Sequence, residues 1–348
     1  MTGSALLEVA AVAADHGLAL SRAWPRSAEH LLLDLVAPSG ASVAGQWFAD
    51  RKQAARVAAR TGAPASRSGG VVLQPDGADR RLPALAGLLR EGDARLVAHR
   101  PERRAVVRSA DGTYAKVVRP EHAAQVAEAT RAAAVPGLHV PRVLDVDETA
   151  GVVTTAALPG VTLHQLLADR SSQAVAAARA VGAALALLHA SPLPVGAVVH
   201  DGAAELAVLH RWERLAAAHG FAGAEPLPDV LPGPGGAGPL VPVHRDLHDK
   251  QALFDGDRVG LLDFDLAAAG EAALDLANLL VHLELRGLQG IGTSELVRAA
   301  ADAVLEGYAP SEAVLARLPA YDLATRRRLV AVYGFRPRHA AAARRLLA

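Results

Sequence analysis

The stretch VPVHRDLHDKQALFDGDRVGLLDFD, residues 241–265, concentrates charged and polar side chains in an otherwise alanine-rich chain. Asp255-Gly256 lies between two apolar runs, which is the signature of a tight hairpin turn. The chain therefore doubles back there and returns Asp263 toward Asp246. A neutral amide oxygen at Gln251 and a carboxylate at Asp263, from opposite ends of the hairpin, suit a hard cation that keeps several waters, and Asp246 would face an acceptor hydroxyl as base. Phosphoryl transfer needs little more from a protein: a carboxylate to orient the nucleophile, metal ligands, and a cation for the phosphates. His244 and His248 have no third strong ligand beside them, so they are expected to brace the loop by hydrogen bonds.

Outward from this stretch the chain divides into three parts. Residues 1–90 read as a small α/β cap. HLLLDLVAPSGASVAGQWFAD (30–50) gives two strands around a Pro38-Ser39-Gly40 turn, DRKQAARVAARTG (50–62) a helix stopped by Gly62, and GGVVLQPDG (69–77) another strand. No catalytic grouping stands out in it. In residues 91–157, ARLVAHR, RAVVRSA and TYAKVVR are three strand candidates, with Asp111-Gly112 as a hairpin signal. A helix follows over PEHAAQVAEATRAAA, with Pro120 suited to its first turn, and then two more strands over 140–160. Residues 158–348 are mostly helical, interrupted by the Pro/Gly-rich PLPDVLPGPGGAGPL (226–240), which reads as a flexible loop.

Composition excludes several function classes. Hydrophobic residues make up 51% of the chain, too many for extended disorder. The formal net charge of zero argues against a nucleic-acid binder or a polybasic membrane anchor. With no cysteine, disulfides and thiolate metal sites are excluded. The first twenty residues lack a basic segment and carry acids within their apolar run, unlike a signal peptide, and no apolar run is long enough to span a bilayer. These features predict a cytoplasmic protein acting on a small molecule, without nucleic-acid or membrane partners, as a monomer or homodimer.

Three ordered motifs, HRDLHDKQ (244–251), LLDFD (261–265) and ALDLANLL (273–280), resemble those of the aminoglycoside phosphotransferase and choline kinase group, which shares the protein-kinase-like fold. VPRVL, LPGVTL and LALLHA stand where that resemblance expects them, so it covers roughly residues 93–345. It implies an α+β bilobal architecture, a mixed-sheet N-lobe and a helical C-lobe, with the cap added in front. It also implies ATP- and Mg²⁺-dependent phosphorylation of a small-molecule hydroxyl, with Asp246 as base and Gln251 and Asp263 as metal ligands. Lys116 in YAKVV is then the strand lysine that grips the nucleotide phosphates, and it needs a glutamate on the following helix. Glu121, Gln125 and Glu128 share one helical face; both acids qualify, and Glu128 is preferred because mid-helix positions are held more rigidly. The adenine is expected against Thr155, Ala156 and Leu158 in the connection between lobes, and Asp275 beneath the catalytic loop.

The chain also departs from the pattern. Gln251 stands where Asn is usual, as in maltokinase-like sugar kinases, which shifts the expected acceptor toward a sugar or amino sugar and away from an aminoglycoside. The turn HRPERRA (99–105) replaces the glycine-rich loop, and Tyr114 shares a strand face with Lys116. No activation segment follows Asp263, which argues against a peptide acceptor. A nucleotide-binding pseudokinase working through residues 1–90 is the rival reading. The basic run Arg326–Arg328, with Arg336, Arg338, Arg344 and Arg345, reads as a solvated helix face or an anion site.

Overall fold

A computed structural model describes residues 4–221 and 239–348; most of the expected loop at 226–240 lies outside them. The chain opens with α1 (Ser4–Asp15), β1 (Ala19–Ser27), β2 (His30–Val36), β3 (Ser42–Phe48), α2 (Arg51–Thr61), β4 (Ser66–Ser68), β5 (Val71–Gln74) and the single turn α3 (Leu85–Leu88). The five strands form one sheet in the order β1-β2-β3-β5-β4. The hairpin at Pro38–Gly40 and the helix stopped at Gly62 form as expected; α1 and β1 have no counterpart in the sequence reading.

A second sheet follows: β6 (Arg95–Arg100), β7 (Arg104–Arg108), β8 (Tyr114–Val118), then a 3₁₀ turn (Pro120–His122) leading into α4 (Ala123–Ala132), β9 (Val143–Asp147) and β10 (Val152–Thr155). Its order is β6-β7-β8-β10-β9, so Lys116 lies on the central strand between Val106 and Val153. Alternation along β8 buries Ala115 and Val117 against Leu82 and Leu85 and leaves Tyr114 and Lys116 together on the other, half-buried face.

The remainder is mainly helical: β11 (Val161–Thr162), α5 (Leu163–Ala168), α6 (Ala174–Ala190), β12 (Val199–His200), α7 (Gly202–Ala218), β13 (Leu240–Val243), β14 (Ala252–Phe254), β15 (Val259–Leu261), β16 (Ala268–Glu271), α8 (Ala272–Leu288), α9 (Ser294–Tyr308), α10 (Glu312–Tyr333) and α11 (Ala340–Arg344). This is the α+β, bilobal, protein-kinase-like architecture with an N-terminal α/β cap. No helix among the described residues is long and apolar enough to cross a membrane.

The cap is tied to both lobes. Leu31, Leu33 and Leu35 on one face of β2 are buried with Ala216, Ala331 and Phe335 of the helical lobe, and the Ala23 amide donates to the Phe335 carbonyl at 2.8 Å. On the other side the Gln46 amide donates to Glu102 at 3.4 Å, and Asp79 at the end of the cap holds the N-lobe turn that follows β6. β1 is thereby fixed against the segment that follows α10.

Candidate active site

The loop 244–251 is held almost residue by residue by one stripe of α8. Asp275, Asn278, His282 and Arg286 recur at helical spacing on a single face of an otherwise apolar helix. The buried Asp275 carboxylate accepts the backbone N–H of His244 and of Arg245, each at 2.6 Å. The Asn278 amide donates to the Leu247 carbonyl (2.7 Å), the His282 ring packs on His248 with centroids 5.0 Å apart, and Arg286 Nε donates to both Asp249 oxygens at 3.0 and 2.8 Å. Burial would raise Asp249, but Arg286 and His164 outweigh it and hold its carboxyl well below the usual carboxylate range. The same balance, with His189 as the main counterweight, depresses Asp275.

His244 braces the loop, as expected: its Nε2 donates to the Leu262 carbonyl (2.8 Å) and its Nδ1 faces the Asp246 amide (3.4 Å). The Asp255-Gly256 hairpin forms with Ala252 opposite Leu261, and the Leu262 amide donates to the Gln251 carbonyl at 2.9 Å. That ladder sets Gln251 next to the segment bearing Asp263. Arg245 and Asp263 both adopt left-handed backbone, φ 69° and 68°, a costly conformation for such residues that often marks functional loops.

Lys116 Nζ donates to Asp263 Oδ1 at 2.8 Å and contacts Asp265 Oδ1 at 2.5 Å. Arg104 adds bonds to the same two carboxylates, at 3.2 Å to Asp263 and 3.0 Å to Asp265. Burial alone would raise Asp263; Lys116 and then Arg104 outweigh it, so the carboxylate stays ionised far below its ordinary range. Gln251 is buried, and its Oε1 accepts no hydrogen bond. Among the described residues no group of three His, Cys, Asp or Glu side chains is arranged to hold a metal. A donor set of Asp263 plus an unpartnered buried amide oxygen fits Mg²⁺, which takes few protein oxygens and completes its shell with water and phosphate.

The structure does not bring Glu128 to Lys116. Ala123 and Ala127 are the residues α4 buries, so the face bearing Glu121, Gln125 and Glu128 points to solvent. Glu128 is exposed, and Glu121 lies 3.9 Å from Arg119. Lys116 finds its carboxylates on the 261–265 segment instead. A test is direct: Glu128→Ala is expected to change kcat and the KM for ATP by less than about twofold, as for other exposed substitutions.

In the inter-lobe connection Thr155 Oγ1 lies 3.5 Å from the Tyr114 carbonyl, and the Ala156 amide is already bonded to the Arg142 carbonyl at 2.9 Å. Leu158 lies over Gly260, where a Cβ would come within 2.7 Å of its side chain. The turn that replaces a glycine-rich loop is pinned from the cap: Glu102, at φ 59°, donates its amide to Asp79 (2.6 Å), and its side chain pairs with Arg80 at 2.8 Å. Of the basic run, Arg326 pairs with Glu284 and Asp322, Arg327 with Glu213, and Arg328 with Glu205. Two features escaped the sequence reading, the Asp249–Arg286 pair and the arginines that β1 carries. The first had a signal, the polar stripe of α8.

The model of the phosphotransferase enzyme family matches residues 89–321. The chain belongs to that family. Solved structures are similar to it at low identity. They include a choline/ethanolamine kinase family protein from Mesorhizobium loti (16% identity, 76% of this chain and 90% of that one, TM-score 0.49). An aminoglycoside phosphotransferase from Streptomyces rimosus is also similar (22%, 71% and 96%, 0.47), as is a glucosamine kinase bound to glucosamine, ADP and inorganic phosphate (20%, 95% and 93%, 0.44). Comparison with curated proteins returns no match. The matched family segment contains every expected site residue, and the family is one of phosphate-transferring enzymes.

Proposed function

We propose that the protein is an ATP- and Mg²⁺-dependent kinase that phosphorylates a hydroxyl of a small molecule of the sugar class. The observation that carries this reading is the hairpin that sets Gln251, with its unpartnered Oε1, beside the segment of Asp263, whose counter-charges are Lys116 and Arg104, with Asp246 in the loop leading into that hairpin. In this reading residues 1–90, 91–157 and 158–348 work as cap, nucleotide lobe and acceptor lobe, with ATP drawn from the cytoplasm.

Asp246 accepts the proton of the acceptor hydroxyl as its oxygen attacks the γ-phosphorus; the P–O bond to the β-phosphate breaks and ADP leaves. Lys116 and Arg104 exchange carboxylate for phosphate oxygens when the nucleotide arrives. Arginine side chains on the pinned turn after β6 supply the phosphate contacts that backbone amides give in a glycine-rich loop. Gln251 and Asp263 hold Mg²⁺, which when bound neutralises phosphate charge. The adenine lies along Thr155–Leu158, where Leu158 and Gly260 offer an apolar wall and the Ala156 carbonyl, whose amide is engaged, remains to be read. Glu128 has no part.

Gln251→Ala is expected to raise the Mg²⁺ concentration for half-maximal rate at least about tenfold, while urea stability changes little because the lost oxygen has no protein partner. An unchanged Mg²⁺ requirement would remove Gln251 from the metal site. The reading as a whole is tested by thermal shift with ATP and Mg²⁺, then by ADP release over a sugar and amino-sugar panel. No shift with ATP and Mg²⁺ would end it.

A further inference from the structure

In a chain of zero net charge, Arg286 and Arg327, buried in the helical lobe, have carboxylate partners in Asp249 and Glu213, and the half-buried Arg317 has one in Glu271. Arg22 on β1, Arg100 at the end of β6 and Arg336 after α10 do not. Among the described residues none of the three has a carboxylate within 4.0 Å, and each has a buried Nε atom without a hydrogen-bond partner. They form one group. Arg22 and Arg100 each lie over the Trp24 ring, at 4.6 and 5.4 Å, and Arg336 lies over Tyr333 at 4.1 Å. The bond from the Ala23 amide to the Phe335 carbonyl fixes Arg22 and Arg336 next to one another across the seam between cap and helical lobe. Asp34, opposite Arg22 in the β1–β2 ladder, is engaged by the Ser42 hydroxyl at 2.7 Å.

Burial, then the like charges of Arg336 and Arg100, pushes the Arg22 guanidinium well below its ordinary value, and burial with Arg104, Arg103, Arg26 and Arg211 pushes Arg100 down to about 9. Crowded cations that repel one another and leave donors unmet are costly to keep. An anion among them would remove that cost.

Arg336 reaches the catalytic loop through Tyr333, over whose ring it lies and whose hydroxyl accepts from Arg286 at 3.2 Å, the partner of Asp249 three residues after Asp246, whereas Arg104, opposite Arg100 in the β6–β7 ladder, is bonded to Asp263 and Asp265. The group thus divides by function: Arg104 with Lys116 stands on the nucleotide side, and Arg22 with Arg336 on the side of the acceptor hydroxyl. We propose that Arg22 and Arg336, backed by Arg100, form an anion subsite for the acceptor, so that the compound phosphorylated carries a carboxylate or phosphate group besides its hydroxyl. This rests on Asp246 being the residue that orients the acceptor. It turns the cap from a passive cover into a contributor to acceptor choice, and it disfavours amino sugars, whose ammonium would meet like charge.

The test uses the full chain and matched probes: glucose, glucosamine, glucuronate and glucose 6-phosphate. In the binding arm, with ADP and Mg²⁺ present, glucuronate or glucose 6-phosphate should bind at least about tenfold more tightly than glucose, the effect of one charged hydrogen-bonding partner. Arg22→Met and, independently, Arg336→Met should abolish that preference; whichever of the two probes is preferred separates a carboxylate from a phosphate acceptor. In the turnover arm the same variants should raise the KM of the anionic acceptor about tenfold or more with little change in the KM for ATP. Equal binding of glucose and both anions, or a preference for glucosamine, would overturn the subsite even if ATP is turned over. Failure of the kinase reading shows separately, as the absence of any response to ATP and Mg²⁺.

Discussion

Asp246→Asn is expected to lower kcat by about 10²–10⁴-fold, the range for losing a positioned general base, while the thermal shift given by ATP and Mg²⁺ persists. The asymmetry follows from how the side chain is held. Its backbone is fixed by neighbours, since Asp275 takes the amides of His244 and Arg245 and Asn278 takes the Leu247 carbonyl. The carboxylate itself makes no ion pair among the described residues, so replacing it by an amide leaves the loop intact and removes only the proton acceptor. In the proposed reading nucleotide binding depends on Lys116, Arg104 and Asp263, which the substitution does not touch. Retention of more than about a tenth of the wild-type kcat would take the base role away from Asp246, and loss of the ATP shift would mean that the nucleotide site had collapsed with it.

Arg286→Met should cost about 3–5 kcal/mol in urea unfolding at neutral pH, the penalty for leaving one buried charge without its partner. Asp249 is fully buried, and its remaining contact would be His164 Nδ1 at 2.6 Å. The pH dependence has a definite sign. In the wild type the Asp249 carboxyl is depressed, so its stabilisation is complete above the unfolded-state value of about 4 and fades as pH falls through the lower folded value. In the variant, burial without Arg286 raises the carboxyl, so the penalty is full at neutral pH and is relieved as the group protonates. The gap between the two proteins should therefore narrow as pH approaches about 4. A loss below about 1 kcal/mol at neutral pH would show that the pair contributes no more than an exposed one. Activity should fall too, because Asp249 also fixes α5 through the bond of its carbonyl with the His164 amide at 3.0 Å.

Much of the site was legible before any coordinates because its chemistry is local. Asp246, Gln251 and Asp263 lie within one hairpin whose turn is written in Asp255-Gly256, and strand alternation alone gives Lys116 and Tyr114 a common face. What could not be read depended on which face of an element meets which neighbour. Glu128 satisfies the helical spacing for a partner of Lys116, yet α4 docks through Ala123 and Ala127 and turns the glutamate outward. In the basic C-terminal run, Arg326, Arg327 and Arg328 are neutralised by acids on α7, α8 and α10 itself, while Arg336 has no carboxylate partner among the described residues.

The sequence by itself determined the fold class, the family and which residues the central hairpin groups together, because hydrophobic period and turn chemistry act over a few residues and the motifs lie in order. Only the tertiary structure decided the partners of the charges. Lys116 meets Asp263 and Asp265, Asp249 meets Arg286, and the strand of Arg22 meets the segment of Arg336 through the bond between Ala23 and Phe335. Ion pairing and charge crowding act through space over a few ångströms, so they follow from packing and leave no trace in sequence spacing.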